Sequence, residues 1–417
     1  MKGKIYAWLL LCLTVLGCSP PVLMVPRRIA DGYLILLKLS DDGIIEKMAD
    51  QIKLPYPITG KSDIISEEGI IYVGSYKHIY VLSLTDEGKL KLLSSTPIEG
   101  YHISLALHPR RPILYAISNE GIFALDVSAP ENPRLVEHLP LEGLLKGVGE
   151  DSIRNPVGMD VACISEKLFV TVREKEIGHS GAILVLDLND PLHPEVDRIL
   201  ERLPGAAAII PGKVDHQIFA AGDEIVEYRN FEREKHFKDN RWMYILRERN
   251  SRGMIKRERV PGEVVEIKFV PMAVFGGVMV SLDKLQEMIG KTEDLSARQQ
   301  LRALADSHHG IVYIATEHAL AYLGTWGVMV WGISDYFDHI YGMDTKGGRK
   351  GYLAAGEKGI YIVNLPLGSE EVYRFITLGR YRKVPSPVSD VCVSDDRLFA
   401  LCGELNAENV IHNESIR

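Results

Sequence analysis

Five cysteines in 417 residues, two of them within the first eighteen, are too few for a disulfide framework, so the fold must rest on burial and strand pairing. Basic charge is also short: 48 Lys and Arg against 56 Asp and Glu leave a net charge of −8. A nucleic-acid binder needs a basic surface to neutralise phosphates, so that class of partner is excluded as an expectation. The chain has no Gly-rich phosphate loop, no GxSxG elbow, no HExxH and no CxxC. No catalytic residue, metal ligand or cofactor is therefore assigned. Its composition, 46% hydrophobic and 25% charged, is that of a globular protein and excludes wholesale disorder.

What is present begins at the N-terminus. Lys2 and Lys4 precede an apolar run, residues 5–17, that ends at Cys18. The run is about thirteen residues long, shorter than the roughly 20 a bilayer-spanning helix needs, and has the form of a secretory signal. Val15-Leu16-Gly17-Cys18 resembles the lipobox of bacterial lipoproteins, with Leu16 where Ala or Ser is commoner. The resemblance implies cleavage before Cys18, a diacylglyceryl group on its sulfur, and a protein held outside the cytoplasm at a membrane. Ser19 in place of a retention Asp favours the outer membrane where there are two. Residues 1–17 are then the signal, and 18–30, with Pro20, Pro21 and Pro26, a tether.

Seven short segments carry an aromatic between aliphatic or small neighbours, at Tyr72, Tyr115, Phe169, Phe219, Tyr313, Tyr352 and Phe399, most of them about 40 to 55 residues apart. That is the period of propeller blades. Asp63, Asp160 and Asp390 each stand nine positions before their aromatic, as in DVACISEKLFVTV and DVCVSDDRLFALC. A third strand is expected at 79–84, 122–127, 183–188, 225–228, 328–333, 360–365 and 33–39. Runs such as IYVLSL and ILVLDL are short, β-branched and bounded by turn residues, which favours strand. Four antiparallel strands repeated seven times describe an all-β, seven-bladed β-propeller spanning residues 31–403.

The two ends of the chain complete one blade between them. After Cys402 only a polar tail, 404–417, is expected, while the mature chain starts with a third and fourth strand lacking a first and second. Pairing 390–402 with 33–54 closes the ring and removes two open edges.

Asp126 and Asp187 open the turns VSAPENPRLV and LNDPLHPEVD. The pattern Asp-x-Ser/Asn-x-Pro-x-x-Pro resembles the LVIVD-repeat family over about 121–140 and 182–200. That resemblance implies an extracytoplasmic propeller with no general catalytic activity. The two aspartates are expected to bond turn N–H groups while the prolines stop the strand.

An insertion interrupts the period at about 229–307. Its first part is basic, with Arg247, Arg249 and Arg257 among interspersed aromatics including Trp242. Two accounts stand: a twisted hairpin extending blade five, or a docking surface for an anionic partner such as a phosphate-bearing glycan, a lipid headgroup or an acidic envelope protein. Residues 281–307 have helical spacing, one apolar stripe being Leu282, Leu285, Met288 and Ile289 and another Leu295, Leu301 and Leu304. The apolar stretch 264–280 leaves an eighth blade open. His308 and His309 beside Asp306, then His318, His102, His108 and His179, are scattered and more often structural. Cys163 and Cys392 are expected at equivalent core places in two inner strands.

The function these features favour is a lipid-anchored, non-catalytic binding or scaffold propeller. A metal-dependent, lactonase-like hydrolase at the central channel is the alternative, by fold analogy alone. An assembly factor docking envelope proteins through its basic hairpin is the third.

Overall fold

The computed structural model describes residues 32–56, 58, 62–101, 103–147, 153–175, 180–212, 217–223, 225–229, 264–275, 278–292, 294–305, 310–316, 319–324, 327–331, 340–346, 350–356, 359–365, 378–382, 387–403 and 413–414. The strands form seven antiparallel sheets. Blade 1 combines Val388–Ser394 and Arg397–Cys402 with Tyr33–Leu39 and Ile45–Lys53. From inner to outer strand, blade 2 is Asp63–Glu67, Ile70–Ser75, His78–Leu84 and Leu90–Pro97. Blade 3 is Ser104–Leu107, Ile113–Ile117, Gly121–Asp126 and Arg134–Pro140, and blade 4 is Pro156–Ile164, Lys167–Glu174, Gly181–Asp187 and Glu195–Arg202. Three strands of blade 5 lie among the described residues: Ala208–Pro211, Gln217–Ala221 and Ile225–Arg229. Blade 6 runs Val264–Phe275, Gly310–Thr316, Leu320–Gly324 and Gly327–Trp331, and blade 7 runs Gly342–Lys346, Lys350–Ala354, Ile360–Asn364 and Leu378–Arg382.

The chain closes as expected from its ends. Tyr33 pairs with Cys402, Ile35 with Ala400 and Leu37 with Leu398, so strands from opposite termini share blade 1. Two-residue turns set the register inside several blades. Glu68 (φ 50°) and Gly69 (φ 80°) both take the left-handed conformation, as a type I′ hairpin requires. Ser165 and Asp395 hold the same place in blades 4 and 1. This shared tight turn is why the aspartate and the aromatic are nine residues apart in three blades.

The core is not one mass but seven slabs, one in each seam between neighbouring blades. Side chains alternate between the two faces of a strand. In Tyr33–Leu39, Leu34 and Leu36 pack toward blade 2, whereas Ile35, Leu37 and Leu39 pack toward blade 7. Both faces are buried, so Leu34–Leu37 is a continuous apolar run without polar alternation, interrupted only at the exposed Lys38 near the strand's end. Burying each such side chain contributes about 1.5–3 kcal/mol.

Four expectations need correction. The run expected as a third strand at 328–333 falls on the fourth strand of blade 6, Gly327–Trp331, with 332–333 outside the described residues; the third is Leu320–Gly324, whose LAYLG is too short and plain to be picked out. The stretch left open as an eighth blade is the innermost strand of blade 6, Val264–Phe275, prolonged into a hairpin with Val278–Ser281. That pairing extends blade 6, and the part of the insertion after Phe275 lies between the first and second strands of this blade, whereas the charged part expected as a hairpin on blade 5, 230–263, lies outside the described residues. The C-terminal tail is not strandless, because Asn413–Glu414 pairs with Tyr381 and Arg382 as a fifth strand on blade 7. Cys163 and Cys392 are one register step out of phase: Cys392 packs toward blade 2, whereas Cys163 packs back toward blade 3.

The helical expectation holds as two helices, Leu282–Lys291 and Leu295–Ala305, packed on the Val264–Phe275 strand. Leu285 and Leu301 are buried between them with Met288 and Ile289 alongside, but Leu295 is 70% exposed because it lies at the first position of its helix. A further helix, Leu141–Gly147, links blades 3 and 4.

Candidate functional site

The inner strands converge on the ring axis, and each brings a polar residue there except in blade 5. Asp390, Asp63, Ser104, Asp160, Glu266 and Asp344 supply blades 1, 2, 3, 4, 6 and 7. Three of them follow a one-residue bulge: the register skips Ser389 before Asp390, Met159 before Asp160 and Val265 before Glu266. A bulge re-aims the following side chain, and here it turns the acid toward the next blade.

Each acid accepts a hydrogen bond from the next inner strand. Asp390 Oδ2 takes Ile64 N–H at 2.9 Å, and Asp63 Oδ2 takes Leu105 N–H at 2.7 Å. Ser104 Oγ donates to Asp160 Oδ1 at 2.5 Å and also lies 3.1 Å from Asp63 Oδ2. Asp160 Oδ2 takes Ile209 N–H at 2.8 Å, Glu266 Oε2 takes Met343 N–H at 2.5 Å, and Asp344 Oδ2 takes Val393 N–H at 2.6 Å. Six of the seven seams are thus stapled. The seventh, between blades 5 and 6, has Ala208 at the acid position and is filled by Ala207, Ala221, Ala321 and the stacked rings of Phe219 and Phe269.

One ammonium faces these carboxylates among the described residues. Lys268 Nζ lies 2.8 Å from Glu266 Oε1 and 3.8 Å from Asp344 Oδ1. Burial alone would lower the Lys268 pKa, but Glu266 and Asp344 hold it well above the usual range. Burial pushes the Glu266 carboxyl up to about 7, with Lys268 opposing. Asp390, 5% exposed, is also driven well above the carboxylate range, first by burial and then by the charges of Glu266 and Asp63. Burial raises the Cys392 thiol, so it stays protonated.

Chemically, this arrangement clamps blades together. The oxygens are taken by main-chain N–H groups, a hydroxyl and an ammonium, and among the described residues no three His, Cys, Asp or Glu side chains form a metal-holding group. The sequence pattern found three members of the ring through the nine-residue spacing. It missed Asp344, eight before Tyr352, Glu266, cut off from Tyr313 by the insertion, and Ser104, a hydroxyl in the place of an acid.

The aromatics that revealed the period act in the same seams. Tyr115 donates its hydroxyl to Pro191 O at 2.8 Å, and Tyr352 donates to Gly43 O at 2.8 Å, each reaching an outer turn of the following blade. Asp126 Oδ1 accepts Ser128 N–H at 3.0 Å, and Asp187 Oδ1 accepts Asn189 N–H at 3.0 Å, the folding role expected of them. Ser128 and Arg134 together hold the Asp126 carboxyl down at about 2. His108 is buried with its Nε2 3.7 Å from Glu166, and burial lowers its pKa. Cys163, Cys392 and Cys402 are free thiols. Cys18, Arg247, Arg249, Arg257, Trp242, His102, His179, His308, His309 and His318 lie outside the described residues.

No family model matches the chain, and no curated protein matches it. Among solved structures, a protein from Lactobacillus plantarum is 10% identical, with 88% of this chain and 99% of that one covered and a TM-score of 0.51. A functionally unknown protein from Desulfotomaculum acetoxidans is 10% identical over 80% of this chain and 92% of its own, with a TM-score of 0.46. Hsv2p of Kluyveromyces lactis is likewise 10% identical, with coverages of 80% and 86% and a TM-score of 0.41. The first likeness shows the fold alone.

Proposed function

We propose that this chain is a non-catalytic binding or scaffold propeller, held at the cell envelope by a lipid on Cys18 and presenting its loops to a protein or glycan partner. The observation that carries this is the use made of the axial acids. A carboxylate that is to bind a metal or move a proton of a substrate must be within reach of it, whereas here each acid holds a neighbouring blade. The lipobox-like Val15-Leu16-Gly17-Cys18 and the LVIVD-like turns support the envelope setting. Two or three acyl chains anchor stably where one does not, since each buried CH₂ adds about 0.8 kcal/mol. Arg247, Arg249 and Arg257, with Trp242, supply a basic and aromatic surface suited to an anionic partner.

Expression in a bacterial host tests both halves. Palmitate should label the wild-type protein and place it in the membrane fraction, and Cys18→Ser should abolish the label and release the protein. Reversing Arg247, Arg249 and Arg257 to Glu should end recovery of the envelope partner and leave the melting temperature unchanged. An unlabelled wild type overturns the anchor. Stoichiometric zinc, calcium or iron in the purified protein, together with metal-dependent ester hydrolysis, overturns the non-catalytic assignment in favour of the lactonase-like one.

A further inference from the structure

Glu266 belongs to blade 6 and Asp390 to blade 1, yet their carboxyls meet adjacent residues of blade 7, Met343 and Gly342. Glu266 Oε2 accepts the Met343 N–H at 2.5 Å. Asp390 Oδ1 lies over Gly342, where an added Cβ would collide with it. Only a residue without a side chain lets the second carboxyl approach this peptide so closely. We infer that the closed ring keeps a proton on the Glu266–Asp390 carboxyl pair over the Gly342–Met343 peptide, and that losing it loosens the seams on either side, making ring closure pH-responsive.

The groups facing the pair require such a proton. Asp63 acts on it from blade 2 and Lys268 from blade 6, while Asp344 of blade 7 faces Lys268 at 3.8 Å and the neutral thiol of Cys392 stands beside them. With Glu266 and Asp390 both ionised, Lys268, the one ammonium facing them among the described residues, would offset one of the two charges at a site where Asp390 is 5% exposed. Like charges in so dry a site drive one another to protonation. A metal ion is a poor substitute as the neutralising species. Asp390 gives its oxygens to Ile64 N–H and Val391 N–H, Asp344 to Val393 N–H and Thr345 N–H, and Glu266 to Met343 N–H and Lys268. A protonated carboxyl keeps its carbonyl acceptor, so the staple to the next blade survives protonation. As pH rises the carboxyl O–H breaks, the proton passes to water, and two facing carboxylates remain.

The sign follows from linkage. The Glu266 carboxyl is raised from 4.5 to about 7, so the folded ring binds a proton that the unfolded chain releases. Stability from this group is fully present below about 4.5 and lost as pH rises through about 7. The His193–Glu137 pair acts in the same direction, because its partner raises the imidazole, while His78 and His108, lowered by burial, act oppositely. The Asp126 contribution disappears only near pH 2.

Thermal melts of the purified full chain in calcium-free buffers of equal ionic strength, from pH 5 to pH 8.5, test this. The wild-type midpoint should fall by roughly 3 °C over that range for a domain of this size. His193→Gln should keep most of the fall; Glu266→Gln and Asp390→Asn should each remove at least half of it. Should either variant fail to fold, infrared difference spectra of the wild type should show a protonated-carboxyl C=O band at pH 6 that is gone by pH 8.5. Unaltered slopes in both carboxyl variants overturn the inference, as does the absence of that band. A midpoint at pH 8 that calcium restores to its pH 5 value also overturns it, because a cation would then be the neutralising partner.

Discussion

A chain ending at Pro387 should show no cooperative melting at all. The deletion removes Val388–Ser394 and Arg397–Cys402, the two inner strands of blade 1, and leaves Tyr33–Leu39 without the partner on its axial side. It uncovers two slabs at once, since Val388, Val391, Leu398 and Ala400 pack toward blade 7 while Phe399 and Leu401 pack toward blade 2. At about 1.5–3 kcal/mol for each large apolar side chain, the loss exceeds the roughly 5–15 kcal/mol by which a folded domain is stable. Ile64 N–H also loses Asp390, and Asp344 loses Val393 N–H. Near-ultraviolet circular dichroism and calorimetry provide the measurement. A chain ending at Gly403 should keep its transition, because among the described residues it forgoes only the two-residue pairing of Asn413–Glu414 with blade 7. A sharp transition in the shorter chain would mean that blade 1 is dispensable.

The second large effect is expected at Asp160. Its carboxylate holds Ile209 N–H of blade 5, Ser104 Oγ of blade 3 and Val161 N–H of its own strand. A hydrogen bond to a charged group contributes about 1.5–3 kcal/mol, and a buried donor left alone costs a further 1–3 kcal/mol. Asp160→Ala should therefore destabilise by about 4 kcal/mol, read in urea titrations as a lower midpoint at unchanged slope. Asp160→Asn keeps one acceptor oxygen and should recover more than half of the loss. A cost below about 0.5 kcal/mol for the alanine variant, the range of an ordinary surface change, would show that the axial acids do not staple the blades.

Asp160 also shows how far the sequence could be read. Its spacing from Phe169 repeats at Asp63 and Asp390, and that recurrence disclosed the blades because a two-residue turn fixes the distance from acid to aromatic. The spacing carried no hint of what the acids bond. Their partners lie in the next blade, 49 residues on for Asp160 and 326 residues away for Asp390, beyond any local pattern. The bulges that aim them were equally hidden, since one skipped residue leaves the apolar run looking continuous. In blade 6 the second strand comes more than thirty residues after the first, so Glu266 stood apart from its aromatic and its strand left an eighth blade open. The turn aspartates Asp126 and Asp187 were legible because their chemistry is local, each bonding an N–H two residues ahead.

Closure of the ring by its own termini can be tested with one substitution. Tyr33 and Cys402 are direct cross-strand partners, and both project to the face that carries Ile35, Leu37, Leu398 and Ala400. Paired strands bring such residues within the Cα separation a disulfide needs. Tyr33→Cys, oxidised under mild conditions and digested, should yield an intramolecular disulfide joining the N-terminal peptide to the peptide containing Cys402. An introduced thiol that stays reduced, or that bridges to Cys163 or to a second molecule instead, would contradict a ring locked by its two ends.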